Sequence, residues 1–133
     1  MFRNADPKLL KTKEEKLAKD IINWLLKHQM FDDTFIYVNG KRYGTCDGEG
    51  HYNYGTDSWD KVYVEDDKDP KDYFEWAGPY LSMSFEGPLY DALNYGWEYE
   101  VYQKLEEELT EIFRKYGFYF ELGNAWNLTA AKI

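Results

Sequence analysis

The sequence predicts an α+β fold, and three observations predict it. Two stretches carry apolar residues at helical spacing, several short stretches alternate apolar with polar residues, and successive strands are joined by short connections. Short connections favour antiparallel pairing, because parallel neighbours need a long crossover. A helix with a single apolar stripe has to bury it. The economical arrangement is therefore an antiparallel sheet of about five to six strands with two main helices packed on one face. The 133 residues fit one domain spanning the whole chain. Residues 1–11 read as a loosely ordered N-terminal arm.

The first helix is expected over residues 12–29. Thr12 with Glu15 three positions on forms a capping box, and Leu17, Ala18, Ile21, Ile22, Leu25 and Leu26 recur on one face. His28 falls near that apolar side, at the edge of the core. Thr34 to Val38 and Lys41 to Thr45 form a hairpin around Asn39-Gly40, a pair suited to a type I′ turn because both central residues need positive φ. Residues 46–60 read as a loop, Lys61 to Glu65 as a short strand, and residues 66–72 as a charged turn in which Pro70 stops strand pairing.

Tyr80 to Glu86 is the clearest strand, with Leu81, Met83 and Phe85 on one face and Ser82, Ser84 and Glu86 on the other. Pro88 can open a short helix that Gly96 closes. A longer helix follows from about Trp97 to Tyr116. Its apolar stripe is Val101, Tyr102, Leu105, Leu109, Ile112, Phe113 and Tyr116. The chain ends in a second hairpin, Phe118 to Leu122 and Ala125 to Ala131, turning at Gly123-Asn124. The expected order is α-β-β-β-β-α-α-β-β.

Composition limits the function. The formal charge is −9, with +3 in residues 1–30 and −4 in each of residues 31–60, 61–90 and 91–133. An acidic surface repels phosphate backbones, so direct nucleic-acid binding is not expected. The single cysteine, Cys46, permits no intrachain disulfide, which suits a reducing compartment and a cytoplasmic location. The longest strongly apolar stretch, Ile21 to Leu26, is far shorter than the ~20 residues of a membrane helix.

Motifs for catalysis and metal binding fail on their chemistry. Gly50 and Gly55 have phosphate-loop spacing, but Thr56 stands where the loop needs lysine. Asp47, Glu49, His51 and Asn53 alternate like calcium ligands, yet Tyr52 occupies the place of the turn glycine and no terminal Glu closes the loop. Cys46 and His51 could form a thiolate–imidazolium pair, but nothing supplies an orienting group or an oxyanion hole. No catalytic residue, metal or cofactor is assigned.

What remains is an acidic and aromatic stretch. Asp47, Glu49, Asp57, Asp60, Asp66 and Asp67 are interleaved with His51, Tyr52, Tyr54 and Trp59. Tyr and Trp offer large contact areas at low entropic cost, and carboxylates suit Arg and Lys on a partner. These ten residues form the candidate partner-binding site. The expected function is that of a small acidic regulator or inhibitor occupying a basic, nucleic-acid-binding surface of another protein. In size and charge the chain resembles anti-defence proteins of phages and mobile elements. The alternatives are a toxin-immunity protein, a small enzyme or ligand-binding domain built on Cys46–Asp60, and a structural subunit whose outer sheet face pairs with a copy of itself.

Overall fold

The computed structural model describes residues 2–46 and 49–133, leaving aside the side chain of Phe2. Among the described residues, seven strands form one antiparallel sheet. They are β1 (Phe2–Asn4), β2 (Thr34–Val38), β3 (Lys41–Gly44), β4 (Tyr63–Glu65), β5 (Leu81–Phe85), β6 (Phe118–Asn124) and β7 (Asn127–Lys132), in the spatial order β1-β4-β3-β2-β5-β7-β6. The α-helices among the described residues are α1 (Lys13–Lys27), α2 (Pro88–Asn94) and α3 (Glu100–Lys115). The fold is α+β, with helices packed on an antiparallel sheet as its local patterns require.

The strand count exceeds the expected five to six because the N-terminal residues form β1. Phe2, Arg3 and Asn4 pair with Glu65, Val64 and Tyr63, and Ala5 and Leu10 are buried behind them. Apolar burial and a sheet edge thus anchor a segment that read as an arm. The capping box of α1 forms as expected, and Glu15 also accepts a hydrogen bond of 2.9 Å from Asn39 Nδ2. That bond ties the start of α1 to the β2–β3 turn, where Asn39 and Gly40 have φ of 50° and 76°.

Alternation along the strands sorts the two sheet faces. Ile36, Val38, Tyr43, Val64, Leu81, Met83, Phe85 and Leu128 face α1 and α3 and form the core with Leu17, Ile21, Leu25, Leu109 and Phe113. The other face carries Phe35, Tyr37, Arg42, Glu65, Ser82, Ser84, Asn127 and Thr129, as the register requires. Residues 70–78 cross this second face: Phe74 is buried against Tyr37 and Trp126, and Gly78 N–H donates to Thr129 Oγ1 at 2.7 Å.

The long helix departs from its expected stripe at its start. Val101 is 61 % exposed, and Tyr102 and Leu105 are only half-buried, whereas Leu109 and Phe113 are buried. The C-terminal half of α3 is the part that lies on the core, with Phe113 against Phe120 of β6 at 5.2 Å between ring centres. The β6–β7 turn also sits later than expected. β6 continues to Asn124 through an irregularity between Leu122 and Asn124, and residues 125–126 make the turn.

Candidate functional site

A chain of hydrogen bonds draws four separate segments to one end of the sheet. Gly55 N–H donates to both carboxylate oxygens of Asp32, at 3.0 and 3.1 Å. Glu86 N–H donates to the Asp33 carbonyl at 3.1 Å, and Phe85 N–H donates to the Trp126 carbonyl at 2.8 Å. Asn94 Nδ2 donates to the Ala125 carbonyl at 2.7 Å. Strand direction explains the meeting. β2 and β7 begin at this end, β3, β5 and β6 finish there, and the α2–α3 connection is held beside the β6–β7 turn. Gly87 lets the approach be close, because a Cβ at that position would run into the Asp32 carbonyl.

In their described parts, residues 31–34, 49–60, 85–100 and 123–127, the four segments carry nine of the 25 Asp and Glu residues and none of the 16 Lys and Arg residues. The same end also exposes rings. Tyr52, Tyr54, Tyr95, Trp97 and Tyr99 are exposed, with Tyr54 at 69 % and Trp97 at 83 %. Negative charge and aromatic surface therefore coincide there.

Local bonds hold the loop that presents Tyr52 and Tyr54. Cys46 and Tyr52 form an isolated antiparallel bridge, Asn53 N–H donates to the Thr45 carbonyl at 3.0 Å, and the buried Thr56 donates through Oγ1 to the Asn53 carbonyl at 3.3 Å. Gly55, at φ 63°, makes the bend that aims its N–H at Asp32. The Tyr52 phenol is raised above its ordinary pKa, first by electrostatic interaction with Cys46 and then by a hydrogen bond to that side chain.

The second cluster of rings comes from the α2–α3 connection. Glu98 N–H and Tyr99 N–H both donate to the Tyr95 carbonyl, at 3.0 and 3.2 Å, which fixes a tight corner before α3. Tyr99 occupies the N-cap position without a side-chain capping bond, and Glu100 lies in the first turn. Glu98 and Glu100 suit the positive end of the helix dipole.

The expected site residues divide. Glu49, His51, Tyr52, Tyr54 and Asp57 are exposed in the loop at the acidic end, whereas Asp47 lies outside the described residues. Trp59 is half-buried against the core, and its Nε1–H donates to Asn23 Oδ1 at 2.8 Å, so it fastens the loop to α1. Asp60 flanks the site with an exposed side chain, and its carbonyl accepts from Asn4 Nδ2 at 2.8 Å. Asp66 and Asp67 lie at the opposite end of the sheet. Asp66 pairs with Arg3, and Lys68 N–H donates to the Gly40 carbonyl at 3.0 Å, beside the β2–β3 turn.

Sequence reasoning missed Tyr95, Trp97 and Tyr99, together with Asp32, Asp33, Glu86, Glu98 and Glu100. A signal for the first group exists. Tyr95-Gly96-Trp97-Glu98-Tyr99-Glu100 mixes glycine, rings and acids as residues 46–60 do, but the segment reads as the start of a helix. Among the described residues, no group of three or more His, Cys, Asp or Glu side chains is placed to hold a metal ion. No helix among them is long and apolar enough to cross a membrane. No protein-family model, curated protein or solved structure matches the chain.

Proposed function

We propose that this chain is a small acidic binding protein that occupies a basic surface on another protein, of the kind that otherwise holds nucleic acid. One observation carries the reading: four segments that contain no Lys or Arg converge on one end of the sheet, where they expose five aromatic rings among carboxylates. Exposed Tyr and Trp supply contact area on a backbone that is already ordered, and the surrounding field draws Lys and Arg while repelling phosphates. In this reading the protein acts in the cytoplasm as a regulator or inhibitor, as anti-defence proteins of phages and mobile elements do. The protein itself does not bind nucleic acid.

The test is affinity capture from the native host with the wild-type chain and with a Tyr54→Ala/Trp97→Ala variant. The expected result is a protein retained by the wild type and lost by the variant. Its association rate should fall with added salt, and it should be displaced by nucleic acid. A captured protein that binds both forms equally, with a salt-independent association rate, would refute the proposal.

A further inference from the structure

Where the outer sheet face meets the acidic end, a cavity of about 250 Å³ opens between aromatic side chains. Phe35, Tyr37, Tyr73 and Trp126 supply its walls, and the exposed Asp33 and Glu86 bring two carboxylates to its rim. The Glu86 N–H···O bond to Asp33 keeps these two residues side by side. Among the described residues, no Lys or Arg forms an ion pair with either carboxylate.

One cation already lies in the cavity wall, and its charge is satisfied. Arg42 donates through Nε to Glu65 Oε1 at 2.9 Å and also through Nη2, and both side chains are largely buried. Its guanidinium lies 4.5 Å from the ring centre of Phe35 and 5.0 Å from that of Tyr73. These rings thus already accept a stacked guanidinium on one side, while the uncompensated charge facing the opening is that of Asp33 and Glu86. A planar cation that stacks on rings and is held by carboxylates complements such a cavity, and arginine meets both conditions better than lysine.

We infer that this cavity receives an arginine side chain of the basic partner. The inference rests on the proposed function and gives the partner's anchor a chemistry. The partner's guanidinium stacks against the aromatic walls near Trp126 and bonds to Asp33 and Glu86.

A capped Gly-Arg-Gly peptide and its norleucine counterpart serve as probes, read by the NMR signals of the ¹⁵N-labelled full chain. The arginine peptide should shift the Trp126 indole signal saturably, and the norleucine peptide should not. Asp33→Asn with Glu86→Gln should weaken arginine-peptide binding by about ten-fold or more, because two charge-assisted bonds are lost. The melting temperature should stay unchanged, since both side chains are exposed and asparagine tolerates the positive φ of 55° at position 33. A still Trp126 signal, an equal response to norleucine, or wild-type affinity in the double variant would each overturn the inference. None of these outcomes touches the binding reading itself, which stands or falls on partner affinity in the Tyr54 and Trp97 variants.

Discussion

Trp97→Ala separates stability from binding at one residue. A buried Trp or Tyr covers ~150–250 Å², and Trp97 is 83 % exposed, so folding hides only about 40 Å² of it. At ~25 cal/mol per Å², that burial contributes no more than about 1 kcal/mol. Roughly 200 Å² remains for a partner to cover, with an upper limit near 5 kcal/mol by the same coefficient. Ordering and imperfect desolvation reduce this to the ~2–4 kcal/mol of an interface hot spot, or about 30-fold to 1,000-fold in affinity. Thermal denaturation of the free chain and surface plasmon resonance against the captured partner measure the two quantities. The expected outcome is a melting temperature within a few degrees of wild type and a faster dissociation rate. A large drop in melting temperature would show that Trp97 supports the fold. Full affinity in a stable variant would remove the α2–α3 corner from the interface.

Other perturbations test the core, the charge field and the α1 cap. Ile21→Ala should cost ~2–5 kcal/mol in urea denaturation, because Ile21 is fully buried, whereas Val101→Ala should be nearly neutral at its 61 % exposure. A neutral Ile21→Ala would detach α1 from the core. Neutralising Asp57, Glu98 and Glu100 together should slow association with the partner and flatten its salt dependence, since screening acts over ~8 Å at physiological ionic strength. Asp66→Asn, at the opposite end beside Arg3, should leave the association rate unchanged, and the reverse ranking in stopped-flow measurements would move the interface to that end. Partial burial pushes the Glu15 carboxyl up, but hydrogen bonds from Asn39 and the backbone of Thr12 and Lys11, with Lys41 nearby, hold it below the ordinary value. A depressed folded pKa adds stability above the unfolded value that is lost as pH falls through the folded value. The stability difference between wild type and Glu15→Gln should therefore be full at neutral pH and shrink on acidification, and a difference independent of pH would refute this role.

Much of the fold is legible in short-range pattern. The capping residues Thr12 and Glu15, the turn pair Asn39-Gly40 and the alternation of Leu81, Met83 and Phe85 act within a few residues of one another, and the structure places them accordingly. β1 was not legible. Three residues carry no periodicity, and their pairing with β4 depends on an edge some 60 positions away in the chain. The exposure of Val101 was equally hidden, because a helical stripe records spacing but not how far the helix reaches across the sheet.

The same division holds for the candidate site. Composition by itself determined that the chain is acidic and rich in rings, and the loop with Tyr52, Tyr54 and Asp57 stands out by residue type. Only the tertiary structure decided which acids share a surface. In 30-residue windows, residues 31–60 and 61–90 each carry −4, so Asp57 and Asp66 look equivalent in the sequence. Strand direction separates them, carrying Asp66 to the far end and bringing Glu86, Glu98 and Glu100 beside the loop. Charge acts through space over distances of several ångströms, whereas neighbours in sequence can lie at opposite ends of a strand.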